Sequence, residues 1–174
     1  MTQDENSLLA ALDHLGLAYC HVPHQAVFTV EESESLHRAI PGIHTKNMFL
    51  KDKNGRFWLV TVEAHARVDL KALAGAIGAA KLSFGKAEDM ERLLGVTPGA
   101  ATPLAAINDA AGAVTVVLDP TVAEAERANV HPLRNTATIG LKGADLVCAL
   151  TAWRHAPIVV PIPSPADDLS LIHI

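Results

Sequence analysis

The feature that most narrows the fold is a hairpin. Met48 to Lys51 and Phe57 to Val62 are strand-like runs, and the Asn54-Gly55 dipeptide between them accepts the positive φ angles that tight hairpin turns require. The rest of the chain must cover such a pair, and it offers helices in irregular alternation with further strands. Leu8, Leu12 and Leu15 recur at helical spacing over Asn6 to Leu15, with an Asn or Ser cap at the start and Gly16 at the end. Thr29-Val30-Glu31-Glu32 has the form of a capping box, Glu32 reaching back to the Thr29 amide, and opens a helix to about Arg38. Asp69 caps a helix through Ile77, another spans Ala87 to Leu94, Asp119-Pro120 opens a third, and Gly143 to Trp153 is the last. The remaining strands fall at Leu17 to Val22, Ala105 to Asn108, Val114 to Leu118, Val130-His131 and Thr136 to Leu141. No strict βαβ rhythm runs through this order. The expectation is an α+β domain over residues 1–156, a mixed sheet flanked by helices. From Pro157 four prolines predict a surface tail without regular structure over 157–174, and whether Leu169 to Ile174 are native to the domain is left open.

With 49% apolar and 19% charged residues in 174, the chain can bury enough surface to order itself, which excludes a disordered polymer. No apolar run approaches the roughly 20 residues of a membrane span. The polar start MTQDENS predicts no secretory signal, and two cysteines are too few for a disulfide framework, which fits a cytoplasmic protein. Cys20 and Cys148 are expected to pack as small apolar side chains. A net charge of −5 argues against indiscriminate coating of nucleic acid. Between His44 and Lys86, however, eight basic side chains stand against three acidic ones. Such a stretch is either a solvated face or a landing site for a small polyanionic feature, such as one end of an RNA.

Familiar catalytic signatures are missing: there is no G-x-S-x-G elbow, no P-loop and no G-x-G-x-x-G. Cys20-His21 offers soft ligands, but a strand sends the two to opposite faces and no second Cys/His cluster in the sequence completes the set. Two segments carry more. In Pro41-Gly42-Ile43-His44-Thr45-Lys46-Asn47, a lysine and an asparagine adjoin an apolar strand; the lysine either holds a phosphate or polarised carbonyl as a point charge, or lies in water. Gly95 to Pro103 alternates proline and glycine with small side chains, which makes either a rigid connector or a loop whose bare amides cradle an oxyanion.

Together with VTVVLDP (114–120) and VHPLRNTATIGL (130–141), these segments resemble the YbaK/prolyl-tRNA synthetase-associated editing domains, most of all the free-standing branch that deacylates Ala-tRNA(Pro). Order and spacing match from about Val27 to Leu150. The resemblance implies a curved mixed sheet flanked by helices and hydrolysis of mischarged aminoacyl-tRNA in translation quality control. On this chain it makes Lys46 the essential lysine at the terminal adenosine and ester, with Asn47 a neighbouring binding residue. It makes Gly99, Ala100, Ala101, Thr102 and Pro103 the G-x-x-x-P loop, whose backbone holds the aminoacyl carbonyl and terminal ribose. His131 becomes a pocket wall that selects a small side chain, and Thr29 a second lining residue. No metal or organic cofactor is implied. The implied partner is the 3′ end of tRNA(Pro), met by part of the basic stretch, with transient association with the translation machinery and no membrane.

An aminoacyl ester is already activated, so a positioned water and a stabilised oxyanion suffice, and a missing triad is no objection. Relatives of this fold remove cysteine instead, and a non-hydrolysing module that holds an aminoacyl end is the remaining alternative.

Overall fold

The computed structural model describes residues 3–165. The hairpin forms as expected: β2 (Ile43–Asp52) and β3 (Phe57–Glu63) pair antiparallel, with Met48 opposite Val60, and the turn passes through Gly55 at φ 84°. Around it stand β1 (Tyr19–Pro23), β4 (Leu82–Phe84), β5 (Val114–Leu118), β6 (Ala128–Val130), β7 (Ala137–Leu141) and β8 (Ile158–Val159). The eight strands run β1-β7-β6-β2-β3-β5-β8, with β4 joined to β2. Parallel pairs (β2 with β6, β3 with β5, β5 with β8) and antiparallel ones coexist, so the sheet is mixed.

The helices are α1 (Glu5–His14), α2 (Val30–Ala39), α3 (Leu70–Ile77), α4 (Ala87–Leu94), α5 (Pro120–Ala123) and α6 (Gly143–Ala152). Their caps are largely those the sequence names. Thr29 accepts from the Glu32 amide, Asp69 from Lys71 and Ala72, and Asp119 from Thr121, while Gly78 and Gly95 close α3 and α4 in the left-handed conformation. Apolar side chains fill three clusters: one around Leu8, Leu118, Ile139 and Leu146, one around Phe49, Leu59 and Leu94, and one around Trp58, Val60 and Leu73. Among the described residues no helix is long and apolar enough to cross a membrane.

Several expectations need correction. The cap of α1 is Asp4, whose carboxylate takes the Ser7 amide, rather than Asn6 or Ser7, which fall inside the first turn. Glu32 reaches the Thr29 hydroxyl, not its amide. Ala105 to Asn108 is no strand: Pro103–Asn108 is a 3-10 helix capped by Thr102, and a run of four residues is too short for periodicity to tell the two apart. His131 falls just past β6, which ends at Val130. Cys20 and Cys148 are exposed, because Cys20 lies on the outward face of an edge strand and Cys148 on the face of α6 opposite Leu146, Ala149 and Leu150.

The stretch after Pro157 is also more ordered than its prolines suggest. Ile158 and Val159 pair in parallel with Val117 and Leu118, and Ile158, Val160 and Ile162 pack on the Trp58 cluster. The Ile162 amide donates to Asp119, and the Pro163 carbonyl accepts from Asp69. A sheet edge tolerates flanking prolines because one side of the strand needs no donors. The expectation for Leu169 to Ile174 lies outside the described residues.

Candidate functional site

The parallel and antiparallel partners of β2 create an opening. One edge of the strand carries β3 along its length; the other carries β6 at Ile43 and His44 and β4 at Leu50 to Asp52. Residues 45–48 therefore have a strand partner on one side only, and a cleft of about 300 Å³ lies beside them. Its walls come from α2 (Val30, Glu34, His37), β2 (His44, Thr45, Lys46), the turn after β3 (Ala64, His65) and the β6–β7 region (Asn129, His131, Thr138).

Lys46 and His131 thus share one cleft. Among the described residues the Lys46 ammonium has no hydrogen-bond or ion-pair partner, so its charge is available to a ligand. His131 hydrogen-bonds through Nδ1 to the Ala137 carbonyl at 3.1 Å; the carbonyl can only accept, so Nδ1 carries the proton and Nε2 is left as an acceptor. Burial pushes the His131 pKa below the usual histidine value, with the Ala137 carbonyl pulling the other way and His24 adding to the fall. The chain then turns through Leu133 at φ 71°, a left-handed conformation held by packing against two of the apolar clusters.

Asn47 points away from its neighbour, as alternation along a strand requires. Its side-chain amide donates to the Ala101 carbonyl at 3.0 Å and its oxygen accepts the Thr61 hydroxyl at 2.6 Å, so it ties β2 to the 99–103 loop. That loop is a 3-10 turn, Pro98–Ala100, running into the buried Thr102 and Pro103. The amides of Ala100 and Ala101 donate to Thr97 and Pro98 within the turn, so they are not the bare donors expected of them; among the described residues no bond engages the amides of Gly99 and Thr102. None of residues 99–103 lines the cleft that holds Lys46 and His131. Thr29 does not line it either: its hydroxyl is spent on the start of α2, and the next residue, Val30, reaches the wall.

Sequence reasoning missed the histidine cluster that lines the same cleft. His37 and His44 stack with centroids 4.2 Å apart, His65 meets His37 edge-on at 5.9 Å, and the His44 Nε2 bonds the Ile40 carbonyl at 2.8 Å. Burial, then the neighbouring His44, lowers the His37 pKa, against the pull of Glu34. These residues sit on three separate elements with no common motif. Only the Glu34-x-x-His37 spacing, which puts both on one side of a helix, was there to be read.

Residues 24–148 match the family model of the aminoacyl-tRNA editing domain. The prolyl-tRNA editing protein ProX of Acetoanaerobium sticklandii is 35% identical over 143 residues, covering 82% of this chain and 87% of its own. The prolyl-tRNA synthetase associated domain-containing protein 1 of Xenopus laevis is 39% identical over 158 residues, with 88% and 94% covered. Among solved structures, the protein APE2540 superposes with a TM-score of 0.72 at 17% identity, over 89% of this chain and 97% of its own. A candidate trans-editing enzyme for prolyl tRNA synthetase does so at 0.70 and 17%, over 95% and 99%; both likenesses speak to the fold alone. From the family match and the extent of these relationships, the chain belongs to the aminoacyl-tRNA editing domain family and is an aminoacyl-tRNA deacylase.

Proposed function

We propose that this deacylase edits tRNA(Pro) in trans, hydrolysing the ester of tRNA(Pro) mischarged with a small amino acid, Ala-tRNA(Pro) foremost. The observation that carries the reading is the pairing of an unpartnered cation, Lys46, with a half-buried imidazole of lowered pKa, His131, in one small cleft. The similarity to ProX, whose name gives prolyl-tRNA editing as its activity, favours the same RNA. Lys46 holds the negatively charged or polarised end of the substrate. His131 closes the space where an acyl side chain would extend. Water attacks the ester carbonyl and the tRNA hydroxyl leaves, with no covalent intermediate on the protein.

A second site of this kind has a physical rationale. A pocket sized for proline rejects a smaller residue by only roughly 1–3 kcal/mol per missing methylene, so a sieve that admits alanine and excludes proline removes the error afterwards. The test is deacylation of Ala-tRNA(Pro) and Cys-tRNA(Pro) by the wild-type chain and by Lys46→Ala. Fast release of alanine, abolished in the variant, is expected. Preferential release of cysteine would reassign the substrate, release of neither would leave an aminoacyl-end binding module, and near-normal turnover by Lys46→Ala would remove that lysine from the mechanism.

A further inference from the structure

We propose that Glu34, His37 and His65 form a binding site for one divalent transition-metal ion of the zinc class, in the wall of the cleft that Lys46 also lines. The inference rests on geometry and does not depend on the editing reading. Glu34 and His37 are three residues apart on α2 and therefore project from the same side of the helix. His65 arrives from the turn after β3, where its amide is fixed by the Glu63 carboxylate at 2.9 Å. One ligand atom from each of the three lies within 4.8 Å of the others, and Glu34 Oε1 stands 3.5 Å from His65 Nε2. A tetrahedral ion with bonds of about 2.0–2.1 Å separates its ligand atoms by roughly 3.3 Å, so small side-chain movements close the site.

A separate observation points the same way. His37 Nδ1 is buried and has no hydrogen-bond partner among the described residues. An imidazole nitrogen shut away from water without a partner is unfavourable, and a bound ion is one of the few things that accounts for it. The ring also stacks on His44, which is itself anchored to the Ile40 carbonyl, so its plane is held in place. Glu34 and Glu63 supply two negative charges against the two of the ion. Two imidazoles and a carboxylate suit zinc, cobalt or nickel rather than magnesium or calcium, which want oxygen alone. Three protein ligands leave a fourth position open to the cleft.

The experiment is a cobalt(II) titration of the tag-free full chain followed by visible absorption, which reports inner-sphere coordination in a low-symmetry site. One cobalt per chain, displaced by zinc and untouched by magnesium, is expected. His65→Ala and Glu34→Gln should each weaken binding at least tenfold; both side chains are partly exposed, and circular dichroism checks that the variants fold. A Cys20→Ser/Cys148→Ser double variant should bind cobalt as the wild type does. No stoichiometric cobalt binding by the wild type, binding undiminished in His65→Ala, or loss of binding in the cysteine variant would each overturn the assignment.

Discussion

Asn47 donates its side-chain amide to the carbonyl oxygen of Ala101 at 3.0 Å, a bond that fastens the strand bearing Lys46 to the loop at 99–103. The same side chain accepts the hydroxyl of Thr61, which is fully buried, so two polar groups depend on one residue. Asn47→Ala leaves the Thr61 hydroxyl unpaired and should destabilise the fold by about 1–3 kcal/mol in urea unfolding. Asn47→Asp is the sharper probe: it keeps the acceptor for Thr61 but sets a carboxylate oxygen against the Ala101 carbonyl. Its deacylation rate should fall further than its stability alone explains. Parallel losses in both variants would reduce Asn47 to a packing role.

His131 offers a pH-dependent readout. Its pKa is depressed in the folded state by burial, so below about 6.5 the unfolded chain binds more protons there than the folded one. The stability it contributes is complete above that pH and is lost as pH falls towards the folded value. His131→Gln should therefore flatten the decline in stability below pH 6.5. With the wall reshaped, His131→Ala should also release bulkier aminoacyl esters that the wild type spares; unchanged selectivity would deny His131 a place in the sieve.

Asp109 and His155 form a buried pair, Oδ2 to Nε2 at 2.9 Å, with both side chains almost wholly shielded. Asp109 also accepts the amides of Ala113 and Val114 and so sets the entry of β5, and the His155 Nδ1 is held by the Trp153 carbonyl. Removing one partner strands the other's polarity in the core, so His155→Ala should cost about 3–5 kcal/mol in denaturant unfolding. A loss near zero would mean that the two amides alone satisfy the carboxylate.

Ending the chain at residue 156 would strip β8 from the edge of β5 and uncover the Trp58 cluster that Ile158, Val160 and Ile162 help to close. The shortened protein should lose at least about 2 kcal/mol of stability, given the usual worth of a buried aliphatic side chain. Calorimetry on the two lengths decides it, and equal melting temperatures would return the segment to the status of a passive tail.

Local chemistry was legible wherever a few adjacent residues settle the matter. Gly55 lets the hairpin turn through its positive φ, and Thr29, Asp69 and Asp119 cap helices because a short oxygen-bearing side chain reaches the next free amides. The run 105–108 misled because four residues are too few for periodicity to separate strand from helix. Pro157 onward misled because a proline's effect depends on whether the strand lies at an edge.

The sequence by itself determined the hairpin, the caps, the interleaved order that demands a mixed sheet, and the family to which Lys46, His131 and the 99–103 loop point. Tertiary structure alone decided that β6 and β4 leave residues 45–48 of β2 open on one side. It also placed Glu34, His37, His44 and His65 around that opening and turned Asn47 towards the loop instead of the cleft. The division follows from range: capping and turn preferences act over three or four residues, whereas a cleft is made by strands that meet from distant parts of the chain, and no local pattern records which side of each will face it.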